Sequence, residues 1–136
     1  MIVQKIVKLP PLGRGVHLID DYLLHHIDGI EIGLVNIFLK HTSASLAINE
    51  NADSDVRRDV ETFLRSLVPD CWDGFEHTLE GCDDMPAHMK NILVGPSLTL
   101  PIRKGRVERG IWQGIYLLEH RDSAGQREIV ITSIGE

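Results

Sequence analysis

The sequence predicts an α+β fold: one domain over residues 1–136 with a mixed or antiparallel, sandwich-like β-sheet and two to three helices. Two observations predict it. Short alternating or apolar runs open and close the chain, while helix-period runs occupy its middle, giving an order of strands, helices, then strands. A length of 136 residues with 43% apolar and 25% charged side chains suits a single soluble domain with a real core.

Residues Met1 to Leu9 alternate weakly around Ile2, Ile6 and Val7 and read as a first strand. Pro10-Pro11 and Gly13-Arg14-Gly15 end it, because proline lacks the ladder donor and glycine permits turn angles. Asp20 is the expected N-cap of a short helix through Leu23, Leu24 and Ile27, with Gly29 as its C-cap. Ile32 to Leu39 is a nearly continuous apolar run of strand length and reads as a buried central strand that delivers His41 to its end. Leu46-Ala47-Ile48 reads as a second short strand. Val56, Val60, Phe63, Leu64, Leu67 and Val68 then share one face of a helix, capped by Asp53 and stopped by Pro69. Arg57, Arg58, Asp59, Glu61 and Arg65 take its other face. Asp70 to Glu80 reads as a loop, and Asp83 or Asp84 caps a second helix with Pro86 in its first turn, running to about Leu93. Gly95-Pro96 ends that helix. Ser97 to Ile102 alternates strictly as a strand, Lys104-Gly105 is a turn, and Ile111–Leu118 and Glu128–Ile134 are two further strands.

Charge and cysteine content narrow the function. The formal charge of −6 makes general nucleic-acid binding a poor expectation, since that needs a basic face. No apolar run of membrane-spanning length and no signal-peptide pattern stand out, so no membrane association is expected. Cys71 and Cys82 do not amount to a disulfide scaffold and lack CxxC spacing, so a reducing cytoplasm is the default location.

Three polar strings interrupt the apolar pattern: His41-Thr42-Ser43-Ala44-Ser45 with Ile48-Asn49-Glu50-Asn51-Ala52-Asp53, then Glu80 to His88, then Trp112-Gln113-Gly114-Ile115 with Glu119-His120-Arg121. With Leu93-Val94-Gly95-Pro96-Ser97 these strings resemble the YjbQ family, whose members are often labelled secondary thiamine-phosphate synthases. The resemblance implies a compact α+β subunit, a homotrimer with polar clefts near subunit contacts, and transferase activity. That activity, weak or secondary, joins a pyrimidine diphosphate to a thiazole phosphate and releases pyrophosphate. The chain departs from the family pattern at Glu108-Arg109-Gly110-Ile111 and at Cys82, where proline is common. Alternative expectations are a non-catalytic trimer that binds a small anion or metabolite, and a metal-dependent hydrolase.

The residues support candidate roles. His41, His88 and His120, with Asp83 and Asp84, make a divalent-metal set, Zn²⁺ for the imidazoles and Mg²⁺ for the carboxylates. Taken singly, each histidine reads more readily as a satisfied hydrogen-bonding group; the three together favour a shared site. Asp84 and His88 stand four apart, on one face of a helix. Ser43, Ser45, Lys90 and Arg121 are candidate phosphate ligands on a small phosphorylated substrate. Glu50 and Glu119 end apolar runs and join His41, His88 and His120 as candidate proton-transfer groups. The late strand from Ile111 to Leu118, apolar on both faces, is a second reason to expect a trimer.

Overall fold

The computed structural model describes residues 1–136. Its elements run β1 Ile2–Leu9, β2 Gly15–Leu18, α1 Asp20–Leu23, a 3-10 turn Leu24–His26, β3 Ile32–Leu39, β4 Ala44–Glu50, α2 Ser54–Leu67, α3 Asp84–Val94, β5 Ser97–Arg103, β6 Arg106–Val107, β7 Gln113–Glu119 and β8 Arg127–Gly135. The architecture is α+β. The strands form two antiparallel sheets, of order β1-β8-β3-β5-β6 and β2-β7-β4. No helix is long and apolar enough to cross a membrane.

The main core lies between the sheets. Val35, Ile37 and Leu39 of β3 and Ile129 and Ile131 of β8 meet Leu46 of β4 and Ile115 and Leu117 of β7. Strand alternation sends the remaining β7 side chains, Tyr116 and Leu118, to the opposite face, where they meet Leu64 of α2. Both apolar faces of β7 are therefore covered within one chain, which removes that strand as a reason for assembly. Ile111 and Trp112 precede it and stay exposed.

The outer face of the larger sheet carries two apolar cross-strand rows. One runs Ile2, Ile134, Leu34 and the other Ile6, Val130, Phe38. Gln4, Thr132 and Asn36 form a polar row between them, with Gln4 Nε2 donating to Thr132 Oγ1 at 3.1 Å. Where β3 and β8 cross, Gly33 faces Gly135, and a Cβ on Gly33 would lie 2.0 Å from the Ile134 carbonyl oxygen.

Several expectations need correction. Gly15, expected in the turn with Gly13 and Arg14, instead opens the strand Gly15–Leu18, which pairs with β7 from Glu119 to Tyr116. Asp20 is the first residue of α1 and not its cap; its Oδ1 accepts the Ile115 N–H at 3.0 Å, and Ile19 holds the N-cap position. In α2 the cap is as expected, with Asp53 accepting from the Asp55 N–H at 2.9 Å. Its apolar face is not: Phe63 and Leu67 are exposed, while Arg57 and Glu61 turn inward toward β2. Finally, Cys71 and Cys82 are joined in a disulfide across a separation of 11 residues, Cα atoms 4.6 Å apart. The loop between α2 and α3 folds back on itself there, with the Cys71 N–H donating to the Cys82 carbonyl.

Candidate functional site

The disulfide staples the loop that carries His77, and Cys82 leads directly into Asp83 and Asp84 at the start of α3. One turn along α3 stands His88. The three side chains converge: His77 Nε2 lies 2.7 Å and His88 Nε2 3.0 Å from the same oxygen, Asp84 Oδ2. One donor atom from each residue falls within 4.8 Å of the others. Asp84 is buried, whereas the His77 side chain is 43% exposed, so the cluster opens to solvent on the His77 side.

Hydrogen-bond accounting makes this cluster unusual. His88 Nδ1 faces the Thr42 carbonyl at 2.8 Å, and its Nε2 faces a carboxylate oxygen. Both partners only accept, and a neutral imidazole carries one N–H. The second contact needs either an added proton or a metal ion in the proton's place. Donation of Nδ1–H to a backbone carbonyl is the usual way a protein orients a metal-binding imidazole. Burial raises the Asp84 pKa, but the His77 hydrogen bond and the charges of His88 and Arg121 outweigh it and hold the carboxyl below its usual range.

Arg121 closes the other side. Its Nε donates to Asp83 Oδ2 at 3.1 Å, its Nη1 to Asp84 Oδ1 at 2.7 Å and its Nη2 to the Glu80 carbonyl at 3.1 Å. Asp83 also accepts the Asp122 N–H at 2.8 Å, and with Arg121 this amide overrides burial to keep its pKa low. Arg121 is thus occupied by carboxylates, and Asp83 by Arg121.

The other expected residues go elsewhere. His41 Nε2 accepts the Glu128 N–H at 2.7 Å, and burial with the Arg127 charge lowers its pKa. His120 is fully buried with Nε2 2.9 Å from Ser45 Oγ and no partner for Nδ1. Burial lowers its pKa to about 3, and Lys90, Arg14 and Arg127 push the same way. Lys90 is fully buried, its Nζ has no partner, and burial lowers its pKa, aided by Arg14. Glu119 pairs in a buried fork with Arg127, at 2.7 Å and 2.5 Å, and Arg127 Nη2 also donates to Ser43 Oγ at 3.0 Å. Glu50 accepts the Ala52 and Asp53 N–H groups and shapes the turn into α2. The three histidines of the sequence strings therefore have three different sets of partners, and only His88 belongs to the cluster.

Comparison with known proteins places the chain in a family. A family model described as "UPF0047 protein YjbQ-like" matches residues 5–136. The chain belongs to the UPF0047/YjbQ family. Within it, the chain is 47% identical to the UPF0047 protein YjbQ of Escherichia coli O157:H7, all of both chains aligning. It is 40% identical to a Synechocystis UPF0047 protein, over 98% of this chain and 92% of that one. Among solved structures it superposes on a conserved hypothetical protein from Thermus thermophilus with a TM-score of 0.86 and 32% identity, covering 96% of this chain and 99% of that one. A YbjQ-like protein of unknown function from Sulfolobus solfataricus shares the fold, with a TM-score of 0.90 at 23% identity and 100% and 99% coverage.

These UPF0047 relatives carry the family name and no thiamine-phosphate synthase name, which corrects the synthase and transferase expectation. Family membership brings a fold and does not by itself assign an activity.

Two residues of the cluster and its surroundings escaped sequence reading. His77 lies in a loop seven residues before Asp84, outside any helical or strand period; the only signal was a histidine shortly upstream of an acidic helix start. Arg127 opens β8 after a turn, and nothing in its neighbours marks it as the partner of Glu119.

Proposed function

We propose that the protein binds a divalent transition-metal ion of the Zn²⁺ type through His77 Nε2, Asp84 Oδ2 and His88 Nε2. The observation that carries this reading is the convergence of two imidazole nitrogens on one buried carboxylate oxygen, with the second His88 nitrogen already committed to a carbonyl. Two nitrogens and one oxygen suit Zn²⁺ and its neighbours; Mg²⁺ prefers oxygen alone. The donor set fits with a small adjustment, since bonds of about 2.0 Å at tetrahedral angles separate ligand atoms by about 3.3 Å. Three protein ligands and a solvent-facing side leave a coordination position for water or a small anion. The ion would also replace the proton that His88 otherwise needs. The test is metal analysis and Zn²⁺ titration of the oxidised protein. One ion per chain is expected, lost in His77→Ala and in His88→Ala. A wild-type protein that takes up no ion, or variants that bind it fully, would overturn the proposal.

We also infer that copies of the chain assemble, a homotrimer being the expected state. The apolar rows Ile2, Ile134, Leu34 and Ile6, Val130, Phe38 support it, because a monomer rarely leaves such a surface in water. Light scattering tests this: a monomer mass for the wild type refutes it, and Leu34→Glu with Phe38→Glu is expected to lower the mass. The cytoplasmic default drawn from cysteine usage is weakened by the Cys71–Cys82 disulfide, because disulfides are rare in a reducing cytosol and persist in oxidising compartments. Alkylation of freshly lysed cells reads that state.

A further inference from the structure

The loop between α2 and α3 is held in place by little besides its crosslink. Residues 71–82 form no helix or strand, and all are exposed except the half-buried Phe75. Trp72 and Phe75 meet edge to face at 5.0 Å, but neither belongs to a core cluster. The loop's backbone bonds stay within it: Phe75 N–H donates to the Trp72 carbonyl at 3.2 Å, and Gly81 N–H to the Thr78 carbonyl at 3.3 Å. Two hydrogen bonds reach outside, from His77 to Asp84 and from Arg121 to the Glu80 carbonyl. A segment with no buried apolar anchor opens at low cost unless its ends are restrained.

Cys71 shows what the restraint imposes. Its φ is 57°, in the left-handed region that a residue with a side chain rarely holds, and such a conformation persists only where neighbours enforce it. Here the enforcing contacts are the bond to Cys82 and the Cys71 N–H donating to the Cys82 carbonyl. Opening the disulfide lets Cys71 return to an ordinary backbone region and take the loop with it. Both cysteines are exposed, so a reductant reaches them, and exposed disulfides are the labile class. The metal cluster feels this unequally. Asp84 and His88 stand on α3, where His88 is also fixed by the Thr42 carbonyl. His77 alone comes from the loop, so reduction leaves two donors in place and frees the third.

Resting on the metal reading above, we propose that Cys71–Cys82 is a reversible redox modification site, and that its reduction by a dithiol releases His77 and with it the ion. One thiolate of the dithiol attacks a sulfur of the pair, and the dithiol's second sulfur resolves the mixed disulfide. Two electrons and two protons pass to Cys71 and Cys82, which end as thiols, and the dithiol ends as its own disulfide. Linkage is reciprocal: the bound ion protects the disulfide from reduction by the same factor by which the disulfide tightens the ion.

The experiment titrates Zn²⁺ and Co²⁺ into oxidised protein and into protein reduced with a phosphine that is then removed without air. Reduction is expected to weaken binding roughly 5- to 150-fold, the usual span of coupling between two sites. Cys71→Ser with Cys82→Ser should bind as weakly as the reduced wild type. Equal affinity in both forms overturns this proposal and leaves the metal reading standing. So does tighter binding by the reduced form with the charge-transfer absorption of a Co²⁺–thiolate bond, since the freed thiols would then be ligands. No uptake by the oxidised protein overturns the metal reading, and this one with it. A metal-free measurement follows the loop itself. The His77 and His88 rings, with centroids 5.5 Å apart, should give a nuclear Overhauser contact in the oxidised protein that reduction abolishes. A contact that survives reduction would sink the idea.

Discussion

His120 makes the stability of this protein sensitive to acid. Its imidazole is fully buried, and burial holds its pKa near 3 against an ordinary value of 6.5. The unfolded chain takes up a proton on this residue below pH 6.5, while the folded chain refuses it until about pH 3. Stability contributed by neutral His120 is therefore full above pH 6.5 and declines as pH falls toward 3, by about 1.4 kcal/mol per unit within that window. From pH 7 to pH 5 the loss amounts to about 2 kcal/mol. Carboxylates with depressed pKa values, such as Asp83 and Asp84, weaken the fold over a lower range, so the His120 share must be isolated by difference. His120→Gln keeps a polar group near Ser45 and cannot titrate. Urea denaturation of both proteins at pH 7 and pH 5 should show the wild type losing about 2 kcal/mol more than the variant. Equal losses would refute the reasoning, as would an imidazole resonance of wild-type His120 that titrates near pH 6.5. The resonance also serves as the measurement should the variant fail to fold.

The disulfide closes 11 residues of sequence, which by chain entropy stabilises by about 2.8 kcal/mol. Cys71→Ser with Cys82→Ser should lower the melting temperature by roughly 10 °C and weaken Zn²⁺ binding by freeing the His77 loop; unchanged melting would show the bond absent in solution. Glu119→Ala leaves the Arg127 guanidinium buried without its carboxylate and should cost about 3–5 kcal/mol in chemical denaturation, with Glu119→Ala/Arg127→Met recovering much of it. Lys90→Met keeps the buried stem and removes an amine with no partner, so it should raise the unfolding free energy in urea denaturation by about 1–3 kcal/mol. It should also raise the His120 pKa measured by NMR, because Lys90 is the leading charge that opposes protonation there.

Periodic signals carried the fold. The β3 run, the Asp53 cap of α2 and the Pro86 start of α3 were legible because each depends on neighbours in sequence. Gly15–Leu18 was not, since four residues flanked by turn formers become a strand only by pairing with β7. The α2 helix misled for a related reason. Its spacing gives an apolar stripe, but which stripe faces inward depends on what β2 offers, and there Arg14 is held by Asp70 with Glu61 close by. At the His77–Asp84–His88 cluster, Asp84 and His88 were visible through their helical spacing, while His77 was invisible because a disulfide, not a period, brings it in. His41 and His120 sit in equally polar strings, yet the first caps a strand edge through the Glu128 N–H and the second is sealed in. Residue type alone does not separate these fates.

The position of β8 has a consequence for how the chain reaches its fold. It lies between β1 and β3, yet it follows every other strand in sequence, so the larger sheet lacks a middle until the C-terminal segment arrives. Ile2 pairs with Ile134, one of the most distant pairings the chain can make, and such non-local closure slows folding. Before that moment β1 has no neighbour and β3 has one open edge, the kind of intermediate that draws strands from other molecules. The remedy is built into the same geometry, because the Met1 ammonium donates to the Gly135 carbonyl at 2.8 Å. A circular permutant that joins the two ends and opens between Asp122 and Gly125 would turn β8 and β1 into a local hairpin. Stopped-flow refolding of that permutant should be faster than that of the natural order.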